Sequence, residues 1–240
     1  MSMVRWMATA AILACAAAEA APRPLTRGAE AGRRFEGWTG VEPRRWPAAP
    51  PLAAEEAPSC LAGLSREGVD AVAAPPSAAP IVECAVADAV RLRVVAAAHG
   101  PVRIAGEPVV ACAFAIRFGA FVRELAAPLA QGGAGAALVA IEAGGGYECR
   151  PRNRVAGAKL SAHGKGLALD IAAFRLGDGR RIAVGATTGG REQRYLAGLR
   201  AAACGYFHTV LGPGSDAAHG DHLHVDLEPR GARGDSRFCQ

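Results

Sequence analysis

The chain has 240 residues, enough for one domain with a real core, or one domain plus a tail. Alanine inflates the hydrophobic fraction of 51%, and only 5% is aromatic, so the core must be built largely from small side chains. A net charge of +5 suits an anionic partner such as a cell wall or membrane surface; basic residues interleaved with aromatics, as base stacking requires, are missing, which argues against nucleic acid.

In chain order, residues 1–20 have the form of an export signal. Arg5 is the positive charge, Met7 to Ala18 is an apolar run too short to span a bilayer, and Ala18-Glu19-Ala20 is a small-x-small cleavage site. Cleavage would start the mature chain at Ala21. In a second reading Ile12-Leu13-Ala14-Cys15 is a weak lipobox, with a lipidated Cys15 as membrane tether. Either reading exports the protein to the periplasm or cell envelope. Residues 21–58, rich in Pro, Ala, Arg and Glu without a period, read as a linker, and the folded domain spans 59–240. With Cys15 in the signal, six cysteines remain, an even set suited to disulfides. Nearest-neighbour pairing gives Cys60–Cys84, Cys112–Cys149 and Cys204–Cys239. No CxxC spacing suggests thiolate metal ligands.

Ala73 to Pro80 reads as a loop. Val90 to Val94 alternates apolar and basic residues like a half-exposed strand. Phe114, Phe118, Phe121 and Leu125 recur at helical spacing, predicting an amphipathic helix over about 112–127 that ends near Pro128. Leu138 to Ile141 is a short buried strand running into Gly144-Gly145-Gly146. Ile171 to Leu176 and Arg180 to Val184 flank Gly177-Asp178-Gly179 as a hairpin. Arg191 to Cys204 is a helix stopped at Gly205, and Val225 and Leu227 belong to a last strand. Helices first and strands later predict an α+β fold, with helices packed on a small antiparallel sheet that carries the functional site. No internal repeat occurs, and a monomer is expected.

Four of the six histidines cluster in two stretches, Ser161 to Asp170 and His219 to Asp226. If the first enters a strand, Leu167, Leu169 and Ile171 face the core while Ala168, Asp170 and Ala172 face the other way, with space around the carboxylate. Gly164 and Gly166 let the backbone turn His163 back toward Asp170. In the second stretch His222, His224 and Asp226 share a face, so one imidazole can ligate a metal while the other meets substrate, and Asp226 can take a spare ring proton. Three protein ligands and an open position is the pattern of catalytic zinc, here His163, Asp170 and His224. Asp221 reaches the site as a base only if it lies in a loop. Ser161 lacks the context of a nucleophile elbow and instead buttresses the His163 loop. His99 and His208 read as ordinary polar residues. Neither Gly133-Ala134-Gly135 nor Gly164-Lys165-Gly166 has the spacing of a phosphate-binding loop.

The pattern Ser-x-His-x-x-Gly-x-Ala-x-Asp at Ser161 to Asp170 resembles the signature of zinc D-alanyl-D-alanine carboxypeptidases and dipeptidases, which share a fold with lysostaphin-type enzymes. His219-x-x-His222-x-His224 is more similar to penicillin-insensitive murein endopeptidases, where the last histidine binds zinc and the others assist. Where the carboxypeptidase branch has glutamate, this chain has the shorter Asp221. Gly146-Tyr147-Glu148-Cys149-Arg150 resembles the Gly-Tyr-Arg segment whose arginine holds substrate. Over about 60–240 the chain resembles the bacterial extensin-like C-terminal domain family, through Tyr147 to Arg150, the two histidine stretches, Cys204 to Phe207, Val210 to Pro213 and the terminal cysteine. The resemblance implies a zinc peptidase-like domain acting on peptidoglycan peptides. His222 or Asp221 would be the base, and His219 and Arg150 would steady an oxyanion. A wall-binding or scaffold protein that keeps the fold is the alternative, and hydrolysis of another amide or ester a third reading.

Overall fold

The computed structural model describes residues 59–75, 79–86, 88–187 and 189–240; the expected export signal, Cys15 and the expected linker lie outside them. A short helix, α1 (Cys60–Arg66), opens the described chain, with the Ser59 hydroxyl accepting from the Ala62 amide at its N-terminus. Strands β1 (Val69–Ala73), β2 (Ala89–Ala97), β3 (Gly100–Ala105) and β4 (Val109–Ala111) follow. Ala73 is therefore strand rather than loop, and the predicted strand at 90–94 is the middle of β2.

The next helix runs further than predicted. α2 (Cys112–Phe121) continues through π-helical turns at Val122–Ala126, the short α3 (Ala127–Leu129) and a second π stretch at Ala130–Ala134. Pro128 does not end it. Proline lacks an amide hydrogen and crowds the preceding turn, but the wide π turns around it relax that crowding. The left-handed Gly135 ends the helix instead. Phe114, Phe118 and Phe121 form the fully buried stripe that their spacing predicts, against Phe207 from the far end of the chain. Gly119 lets α2 approach β1: a Cβ there would lie 2.5 Å from Val69 Cγ2.

The remaining elements are β5 (Leu138–Ala143), β6 (Ala168–Leu176), β7 (Arg181–Ala183), α4 (Gly190–Ala203), β8 (Thr209–Leu211), β9 (Leu223–Asp226) and β10 (Phe238–Cys239). The hairpin is β6–β7, with Arg175 opposite Arg181. β9 is not the last strand: β10 follows it and pairs with β8 in parallel. The fold is α+β, as predicted, but four strands precede the long helix, and in place of a small antiparallel sheet there is one mixed sheet of ten strands ordered β1-β2-β3-β5-β6-β9-β8-β10, with β4 beside β2 and β7 beside β6. Pairing is antiparallel except for β3–β5 and β8–β10.

Three disulfides brace this frame: Cys60–Cys112, Cys84–Cys149 and Cys204–Cys239. The last is the predicted pair. The first two correct the nearest-neighbour expectation. Sequence proximity is a weak guide because loop-closure entropy grows only logarithmically with length. What decides is that α1 packs beside α2, while the turn at Val82–Cys84 packs against the turn that carries His163. Three disulfides suit an extracellular or periplasmic compartment. No helix of the described residues is long and apolar enough to cross a membrane.

Candidate metal centre

The site grows out of the pairing of β6 with β9. Register sets Asp170 directly opposite His224, and Ala168 opposite Asp226. On the core side of the two strands Leu169, Ile171, Leu223 and Val225 are buried in the main hydrophobic cluster. The polar residues of both strands therefore share the other face. His163 reaches the same place from the turn at Ala162–Lys165, which the Ser161 hydroxyl caps by accepting from the His163 amide and which the left-handed Gly166 closes. Gly166 is required twice over: its φ is +66°, and a Cβ would lie 2.7 Å from the Ala111 nitrogen.

Three donor atoms converge. His163 Nε2 lies 3.2 Å from His224 Nδ1, His224 Nδ1 lies 2.9 Å from Asp170 Oδ1, and His163 Nε2 lies 3.4 Å from Asp170 Oδ1. Donors bound at about 2.0–2.1 Å to one tetrahedral ion stand about 3.3–3.4 Å apart, so this triangle has the dimensions of a metal site. The outer hydrogen bonds select the right tautomers. His163 Nδ1 donates to the Gly146 carbonyl at 2.8 Å, which leaves its Nε2 lone pair pointing inward. His224 Nε2 donates to Asp226 Oδ2 at 3.1 Å, which leaves Nδ1 for the metal. His163, Asp170 and His224 form a group that could hold a metal ion.

The other predicted residues stand around this triangle. His222 Nε2 is 3.6 Å from Asp170 Oδ1, while its Nδ1 donates to Asp221 Oδ1 at 2.8 Å. Asp221 itself does lie in a loop, but its side chain is 90% exposed and points its carboxylate at His222 rather than lining the site. His219 is buried, its Nδ1 donates to Asp216 Oδ1 at 2.6 Å, and its ring lies 5.3 Å from that of His222. An ionised carboxylate only accepts, so His219 Nε2 donates only from the doubly protonated ring. Arg150 Nε donates to Glu148 Oε2 at 2.9 Å. His163, Asp170, His219, His222, His224 and Arg150 all line one cavity of about 530 Å³, a size that takes a small ligand or a short peptide segment. His99 is exposed and His208 Nδ1 meets the Glu228 carbonyl at 3.2 Å, away from this cavity.

Sequence reading missed three supports. The Gly146 carbonyl orients His163, Asp216 orients His219, and Glu148 gathers Arg150 and Arg154. Of these, only Asp216 left a readable trace, its spacing of three residues from His219. A backbone carbonyl leaves none.

The electrostatics follow from the geometry. Burial pushes the Asp170 carboxyl up, but the hydrogen bonds from His163 and His224 outweigh it and hold the group far below the carboxylate range. Burial disfavours charge on His224, yet Asp170 and Asp226 on either side outweigh it and push its pKa up to about 9. In the metal-free protein the protonated His224 ring thus lies between two carboxylates, with its Nδ1 proton facing Asp170 where a metal would bind. A metal must displace it. We expect binding near pH 7 to release about one proton per ion, with apparent affinity rising about tenfold per pH unit and flattening near pH 9. Calorimetry in buffers of different ionisation enthalpy measures the release; no released proton would contradict the assignment of His224 Nδ1 as ligand.

Compared with known proteins, residues 58–240 match a family model described as Extensin-like protein C-terminus. No curated protein and no solved structure matches the chain.

Proposed function

The chain belongs to the extensin-like protein C-terminus family, and from that footing we propose that it is an exported zinc-dependent hydrolase of peptide bonds in peptidoglycan. One observation carries the reading: a triangle of metal-ligand dimensions shares its cavity with a histidine that is aimed at the triangle and held there by an acid. A purely structural ion would not call for His222 or His219 beside it. Two imidazoles and a carboxylate suit zinc among the common divalent ions. The resemblance of Ser161 to Asp170 to the motif of murein carboxypeptidases supports a peptide substrate.

His163 Nε2, Asp170 Oδ1 and His224 Nδ1 would hold the ion. When bound, zinc supplies a Lewis acid that polarises a carbonyl and acidifies a water. His222 Nε2, its lone pair freed because Nδ1 donates to Asp221, takes the proton of the attacking water. Asp221 orients that ring. Arg150, and His219 when its Nε2 carries a proton, donate to the oxyanion that develops on the scissile carbonyl.

The test is digestion of purified peptidoglycan by the full chain. The expected result is release of peptide fragments that stops on chelation and returns with zinc. A zinc-loaded chain that binds peptidoglycan but releases nothing would replace the hydrolase with a wall-binding protein.

A further inference from the structure

Arginines outnumber carboxylates four to three in the lining of the cavity. Arg150, Arg152, Arg154 and Arg230 all line it. The acids that line it, Asp170, Asp216 and Asp226, are each bound to a histidine. Beside the lining, Glu148 accepts from both Arg150 and Arg154, leaving a net positive arm. This arm is a built feature. Asn153 and Arg154 both take left-handed backbone, with φ of 51° and 60°, a conformation costly for a long side chain. The ion pair of Arg154 with Glu148 helps hold that shape, with Nη1 2.5 Å from Oε1 and Nη2 2.8 Å from Oε2.

Arg230 comes from a different segment, just after β9. Its Nε donates to Thr209 Oγ1 at 2.7 Å, and its guanidinium lies over the Phe238 ring, 5.3 Å from the centroid. Phe238 also lines the cavity. One edge and one face of the guanidinium are therefore occupied by the protein. The two terminal nitrogens make no hydrogen bond to protein among the described residues. A planar fork anchored this way is preorganised for a carboxylate. Arg152 is exposed and its side chain is likewise unpaired among the described residues.

We propose that the cavity selects peptides bearing two carboxylates, one received by the Arg230 fork and the other by the arm from Arg150 to Arg154, so that Arg230 is a specificity residue of this site. The proposal rests on the peptide reading above. Its own content is the charge and the two-sided placement of the ligand.

The experiment is calorimetry on the full chain, with zinc and after chelation. The probes are acetyl-Ala-Glu-Ala with both carboxylates free and the same peptide amidated at both. At low salt the diacid is expected to bind about tenfold or more tightly than the diamide, with and without metal, and the preference shrinks as salt rises. Arg230→Gln removes most of the preference. Arg152→Gln, which changes an exposed side chain without a hydrogen bond or ion pair among the described residues, weakens it too, which keeps the test open if Arg230→Gln misfolds. Arg117→Gln, on the exposed side of α2, leaves it unchanged. Equal binding of diacid and diamide would overturn the proposal, as would a full preference in a folded Arg230→Gln protein. A preserved preference without digestion of peptidoglycan would sink only the hydrolase reading; digestion without preference would sink only this one.

Discussion

His224→Ala is expected to empty the metal centre and abolish peptide release together. The substitution removes one of three donors and, with it, the imidazole that Asp226 orients. Loss of an outer partner typically weakens a metal site about 10–100-fold, and loss of a donor exceeds that, so zinc content should fall from about one per chain to background after dialysis. The metal-free variant carries a second signature. Asp226 is 4% exposed, and in the variant it has lost its imidazole. Removing one partner of a buried pair costs about 3–5 kcal/mol, so thermal unfolding should shift clearly downward relative to the metal-free parent. Retention of zinc in a folded His224→Ala protein would overturn the ligand assignment.

His222→Ala should do the opposite to metal content. Its Nε2 stands 3.6 Å from Asp170 Oδ1, outside the three-atom group, with its far nitrogen committed to Asp221. Zinc stoichiometry is therefore expected to remain near that of the parent while turnover falls about 10²–10⁴-fold, the usual contribution of a positioned general base. The two variants make a decisive pair when metal analysis and digestion are run on the same samples. If His222→Ala loses its zinc, that histidine is a ligand and the base must be sought elsewhere. If it keeps both zinc and full turnover, the proton goes to another group, and His219 is the nearest in kind.

Much of the site was legible because strands alternate. Once Asp170 and His224 are assigned to strands, period-two geometry places the apolar residues between them in the core and the polar ones on the opposite face. The phenylalanine stripe of α2 was legible for the same kind of reason at helical period. Where the helix stops was not. Proline ends a regular α-helix, and nothing local in the sequence announces that π turns will carry the chain past it. The roles of the acids were hidden too. Asp221 and Asp216 each meet a histidine only because of how a loop turns, and Gly146 acts through a carbonyl that every residue possesses.

By itself the sequence determined the α+β class, the buried faces of its long elements, the six cysteines of the domain and the identity of the metal-binding candidates, because these depend on residue type and short-range periodicity. The tertiary structure decided what depends on contacts between distant segments. It set the register that puts Asp170 opposite His224 and the disulfide exchange that joins Cys60 to Cys112 and Cys84 to Cys149. It also brought Arg230 to the cavity that Arg150 lines. Such contacts are selected by the packing of the whole core. Their loop-closure penalties differ too little to be ranked from spacing along the chain.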